Sequence, residues 1–181
     1  MDNLNIDLPA LILFENYKGN FTRYIEALYQ IFLSDFIKHK TRFRGEELRL
    51  KWHPQFQEKA YTFYHLTHSG NDEDNRLPDF RRCERLPWAR PTIENCDQWM
   101  LKIWPQKRKG ADRLCIWLER IGEPDYFVIL DVRKDYKLVW TAFVAEYEHE
   151  KRKKFKEYKE WLKTQKSPDK PDDFVTPLTH G

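Results

Sequence analysis

Cysteine is scarce in this 181-residue chain: Cys83, Cys96 and Cys115 are an odd number with no CxxC spacing. That excludes a disulfide framework and a zinc ribbon, and it predicts idle, buried thiols in a reducing compartment. No apolar run approaches the roughly 20 residues that span a bilayer, so no membrane association is expected. Asp2 and Asp7 stand where a secretory leader would place basic residues, and a cytoplasmic location is expected. Charge of one sign is also lacking. The formal net charge is only +3, so any nucleic-acid surface must come from local clustering rather than from the total. No internal repeat is visible. A phosphate-binding GxxxxGK loop, a GxGxxG turn, an HExxH helix and a calcium loop are all missing, and no cofactor is expected.

What the chain does have is aromatics, at 15% of residues, with seven Trp and twelve Phe. Each large ring buries roughly 150–250 Å², enough to build a core despite 34% charged residues. We expect one α+β domain over 1–166, made of a helical part (9–40), a sheet-containing core (43–145) and a basic helix (146–166), followed by a flexible tail at 167–181. Pro9 suits a helix start. Phe21, Tyr24, Ile25, Leu28 and Phe32 recur at three- and four-residue spacing, with a break at Gly19-Asn20 and a cap from Asn20 or Thr22. Glu47–Trp52 alternates like a half-exposed strand, and Tyr61–Leu66 is rich in strand-forming residues. Gly70–Asn75 reads as a polar loop, and the proline-bracketed arginine stretch after Pro78 as irregular or a short helix. Residues 93–103 fit helix or strand equally. Pro105–Gly110 reads as a basic loop. Arg113–Leu118, Tyr126–Val132 and Lys137–Val144, the last two joined through Arg133–Tyr136, predict an antiparallel meander covered on one side by helix. In the 146–166 helix, Phe155, Tyr158, Trp161 and Leu162 share a face opposite many Lys and Arg residues.

Two histidines three apart, His65 and His68, end the aromatic run. Imidazoles titrate near neutrality and suit a base and an acid, although on a strand this spacing turns them to opposite faces. A zinc site would need two more ligands, and His53 with Cys83 is a poor pair, so no metal is expected. Arg81, Arg82 and Arg85, flanked by Arg76 and Arg90, form the sharpest basic cluster. Guanidinium forks match phosphate oxygens, and Trp88 beside them is able to stack a base. A plain salt-bridge network with Asp79 and Glu84 is the competing reading. Thr141 places a hydroxyl in an apolar strand, where it is a strand former or a phosphate donor. Arg133, Lys134 and Tyr136 precede it.

Taken together, Phe63-Tyr64-His65-Leu66-Thr67, the arginine segment and the closing strand pair through Leu138-Val139-Trp140-Thr141-Ala142 resemble the barnase–EndoU–colicin–RelE group of ribonucleases, in its phage- and mobile-element-associated branch. The resemblance spans roughly residues 43–145. It implies helices preceding a curved antiparallel sheet. It also implies metal-independent RNA cleavage by 2′-hydroxyl attack, as in bacterial toxins, with RNA as substrate and an inhibitor (antitoxin) protein as a possible partner. It matches His65 to the early histidine, Thr141 to the last-strand hydroxyl, and Arg82 or Arg85 to the phosphate-binding cation. His68 and Tyr136 are assigned from chemistry alone, and Arg76, Arg81, Arg90, Arg133 and Lys134 as RNA contacts. Glu84 is the glutamate best placed in sequence to act as the base of the barnase type. A non-catalytic module that binds nucleic acid or protein is the alternative. The enzyme reading requires His65, His68, Arg82 or Arg85, and Thr141 to line one cleft.

Overall fold

A computed structural model describes residues 6–165, without the side chain of Asp74. Helix α1 (Phe21–Phe32) starts where Asn20 accepts the backbone N–H of Arg23 at 2.9 Å. It buries Tyr24, Ile25, Leu28 and Phe32, and a π-helical turn, Leu33–Lys38, extends it. No helix starts at Pro9. Residues 9–13 form no regular element because their backbone is taken by tertiary partners: Trp88 Nε1 donates to Pro9 O (2.8 Å) and Tyr24 Oη to Ile12 O (2.8 Å), while Ile12 N donates to Glu84 O (3.0 Å). The helical part before the sheet is thus α1 with a 3₁₀ turn, Phe14–Tyr17, ahead of it.

Strands β1 (Arg42–Phe43) and β2 (Glu46–Glu47) make a two-residue ladder. The half-exposed strand expected over 47–52 is reduced to β2 and a single parallel bridge from Arg49 to Leu138. Tyr61–Thr67 is not a strand but helix α2, buried from Thr62 to Thr67. A short run buried on every side carries no periodicity to separate helix from strand, and packing overrides the strand preference of its aromatics. β3 (His68–Ser69) and β4 (Leu77–Pro78) pair behind it. The arginine stretch is two short helices, α3 (Phe80–Glu84) and α4 (Ala89–Glu94), joined by a 3₁₀ turn.

The main sheet is an antiparallel meander of β5 (Lys102–Arg108), β6 (Ala111–Leu118), β7 (Asp125–Val132) and β8 (Lys137–Ala145). β5 replaces the expected basic loop. As an outer strand it tolerates Pro105, and Lys109-Gly110, both at positive φ, turn it back into β6. One face (Ile116, Leu118, Val128, Leu130, Val144) packs with the helices, Phe32 and Ile93 among them. The other carries Trp104, Trp117, Phe127 and Ile129, against which Tyr158 and Trp161 of α5 (Glu148–Gln165) pack. The sheet is therefore covered on both faces, not one, as its doubly apolar strands demand. The fold is α+β with a C-terminal helix. The three cysteines are free and buried. No helix among the described residues is long and apolar enough to cross a membrane. The expected flexible tail at 167–181 lies outside the described residues.

One irregularity positions the site. Ile129 pairs with Thr141 but Leu130 pairs with Val139, so Trp140 is an extra residue in β8. Such a bulge re-aims side chains. Here adjacent residues Trp140 and Thr141 both line one cleft, beside the edge of β8 on which α2 packs.

Candidate active site

The C-terminus of α2 leaves carbonyls without intrahelical partners. Thr141 Oγ1 donates to His65 O at 2.8 Å, and Arg82 Nη1 donates to His65 O (3.2 Å), His68 O (3.4 Å) and Thr141 Oγ1 (3.0 Å). Asp79 caps α3 through Arg82 N (3.2 Å) and pairs with the Arg82 guanidinium (3.2 Å). Arg82 and Thr141 thus fasten three elements, α2, α3 and β8, at one point. Burial draws the Arg82 pKa down while Asp79 opposes it.

His65 sits inside this junction with its side chain only 1% exposed. Its ring lies tilted against Tyr61 at 4.2 Å, one helical turn earlier, and meets Trp140 edge-on at 5.0 Å. Nε2 lies 2.9 Å from Glu73 Oε2, and Nδ1 is buried without a partner. Glu73 also accepts the Tyr61 hydroxyl (2.6 Å) and Arg76 Nη2 (3.0 Å). Burial, and then Arg76, push His65 down to about 4 despite Glu73. Burial alone would raise Glu73, but hydrogen bonds from Tyr61, His65 and Arg76 outweigh it and hold the carboxyl at about 2. At neutral pH the pair is therefore a carboxylate and a neutral imidazole, with the Nε2 proton donated to Glu73.

A cleft of about 400 Å³ opens here, lined by His65, Gly70, Asn71, Arg76, Arg82, Trp140, Thr141 and Phe143. Gly70 (φ +151) lets the loop pass close to Arg76, whose Cα would stand 3.4 Å from an added Cβ.

Of the residues singled out from sequence, His65, Arg76, Arg82 and Thr141 converge on this cleft. The others do not line it. His68 follows α2 in an extended conformation, its ring against Tyr64 (4.5 Å) and its Nδ1 2.9 Å from Thr67 Oγ1. Burial and then Arg76 push it to about 4 as well. Arg85 lines a second cleft of about 430 Å³ with Ile6–Leu11, Trp88, Arg120 and Glu123. Arg81 pairs with Glu146 (3.0 Å), Arg90 with Asp35 (3.2 Å) and Arg133 with Asp131 (2.6 Å). Tyr136 lies under Arg49 (4.3 Å), and Lys134 is exposed in the β7–β8 turn. The salt-bridge reading of the arginine cluster holds in large part, since Asp79 and Glu84 do pair with Arg82 and Arg85. Glu84 is at the second cleft's arginine, not at His65.

Sequence reasoning missed Glu73, Tyr61 and Trp140. Had 61–67 been read as helix, the four-residue spacing of Tyr61 and His65 would have put them on one face. Nothing local marks Glu73 within its polar loop. Among the described residues no three His, Cys, Asp or Glu side chains are grouped so as to hold a metal ion. In comparisons with known proteins the chain matches no protein-family model, no curated protein and no solved structure.

Proposed function

We propose that the protein is a metal-independent endoribonuclease, cytoplasmic and of the toxin type, that cleaves RNA by attack of a 2′-hydroxyl on the adjacent phosphate. The observation that carries this reading is one cleft lined by two guanidiniums, a hydroxyl and an imidazole, the last of these paired with the Glu73 carboxylate behind it. The scissile phosphate binds Arg76 and Arg82, whose fixed donors stabilise the charge that grows on the pentavalent phosphorane. Thr141 is a positioning residue, since its hydroxyl is shared between His65 O and Arg82.

Exposure assigns the proton transfer to Glu73. Its side chain is 53% exposed, whereas the His65 ring is shut from solvent. Glu73 takes the 2′-OH proton, and His65 orients the carboxylate through Nε2–H. A carboxyl held at about 2 is a weak base. Capture of the phosphate by Arg76 withdraws one of the donors that depress it, so the base strengthens when substrate arrives. The 2′-oxygen bonds to phosphorus, the 5′-oxygen leaves with a proton from water, and the products are a 2′,3′-cyclic phosphate and a 5′-hydroxyl end. Incubation of the purified protein with single-stranded and structured RNA in EDTA at pH 5–8 tests the reading. RNA left intact throughout refutes it.

A second reading is favoured by one observation, the carboxylate partner on every arginine of the cluster, which spends donors that catalysis on a phosphate would need. It is a non-catalytic nucleic-acid- or protein-binding module. It predicts salt-sensitive RNA binding without cleavage.

A further inference from the structure

One more guanidinium lies against a residue of the cleft wall, Trp140. Arg113 on β6 lies over the Trp140 ring, 4.4 Å from its centroid, with Asp131 4.0 Å from Nε. That Nε is buried without a hydrogen-bond partner. Burial lowers the Arg113 pKa first of all, and among the charges acting on it are Asp131 and Glu73, so it lies within electrostatic reach of the proposed base. Trp140 also meets His65 and, 6.3 Å away, the Tyr61 ring, which carries Lys51 Nζ 3.9 Å from its centroid. Lys51, Tyr61, Trp140 and Arg113 therefore form a continuous row beside Glu73. Four separate chain segments supply it, and the β8 bulge brings Trp140 into it.

We propose that this row seats the nucleotide next to the scissile phosphate, and that the substrate class is consequently unpaired RNA. The proposal rests on the ribonuclease reading above. Asp131, the partner of Arg113, is two residues along β7 from Ile129, the partner of Thr141. Arg113 and Thr141 are thus offset by about 7 Å along the strands and by two strand spacings, about 9.5 Å, across them, a separation that the Arg113 side chain shortens by reaching over Trp140, the neighbour of Thr141. A base stacks on a guanidinium plane as it does on an aromatic ring, and a plane already pinned to Trp140 loses little freedom in doing so. The Arg113 side chain is 18% exposed, recessed beside the cleft. A base in a duplex has no free face and cannot reach it, whereas a splayed single-stranded base can. Lys51 and Arg113 bracket the row with charge for the flanking phosphates.

The test uses the full chain and a labelled 2′-O-methyl RNA, which cannot be cleaved, followed by fluorescence anisotropy over a salt series. The single strand is expected to bind at least about tenfold more tightly than the same strand annealed to its complement. Arg113→Ala is expected to weaken single-strand binding about tenfold and to lower the salt slope by about 0.7, the value for one phosphate contact. Arg113→Lys keeps a charge beside Asp131 and guards against misfolding: it should preserve the slope and lose most of the affinity. Equal affinity for duplex, or Arg113 variants that bind like wild type, overturns the proposal, as does no binding at all. Cleavage of ordinary RNA, measured in parallel, separates the two ideas. Arg113-dependent binding without cleavage leaves this subsite standing and removes the ribonuclease reading; cleavage indifferent to Arg113 does the reverse.

Discussion

Acid should destabilise this protein well above the range in which carboxylates titrate. His65 and His68 are buried and held at about 4 instead of 6.5. Between those values the unfolded chain binds more protons than the folded one, so stability falls as pH falls. It is fully present above about 6.5 and is lost progressively down to about 4. Each histidine contributes about 3 kcal/mol over that window. Domains of this kind are stable by only about 5–15 kcal/mol, so losing twice that increment takes a large share. Glu73 is depressed from 4.5 to about 2, so its own loss falls below the window and leaves the signal to the imidazoles. The assay is urea unfolding followed by circular dichroism at half-unit steps from pH 8 to 4.5. His68→Phe keeps a ring against Tyr64 and removes the titration there, so the slope should halve. A denaturation midpoint flat from pH 7 to 5 would refute the burial argument for both histidines.

Further outcomes follow from the junction of α2, α3 and β8. Thr141→Val keeps the strand former but leaves His65 O and Arg82 Nη1 short of a partner. It should cost about 1–3 kcal/mol in urea unfolding, with Thr141→Ser restoring most of it. Arg82→Lys removes the fork that spans His65 O, His68 O and Thr141, and should lower both the unfolding midpoint and RNA cleavage, since lysine cannot reproduce that geometry. Tyr61→Phe removes the shortest hydrogen bond to Glu73, so the acid limb of the cleavage–pH profile should move upward. An unmoved limb would show that Tyr61 does not set the carboxylate.

Much of the scaffold was legible because its patterns are long. The α1 stripe, the β6–β8 meander and the C-terminal helix each repeat a signal over many residues, and Asn20 caps α1 through a local side-chain preference. Short or shared features were not legible. Tyr61–Thr67 is a seven-residue run buried from its second residue on, so its aromatics argued for a strand, and that reading set His65 about 13 Å along the chain from Tyr61. β5 was hidden by Pro105 and its lysines, which an outer strand tolerates. His65, Arg76, Arg82 and Thr141 were chosen for their chemistry and do share a cleft. Their partner Glu73 was invisible because only the return of the 70–75 loop onto α2 brings it to His65. Trp140 was invisible because a bulge is a property of strand pairing, not of one strand.

The central claim is that Glu73, held by His65 beside Arg76 and Arg82, cleaves RNA. The most direct measurement compares wild type with Glu73→Gln on a defined single-stranded RNA in EDTA, with the product ends identified by mass spectrometry. The account predicts 2′,3′-cyclic phosphate ends from wild type and a loss of about 10²–10⁴-fold in rate for the folded variant. Intact RNA with wild type, or equal cleavage by the two proteins, would contradict it.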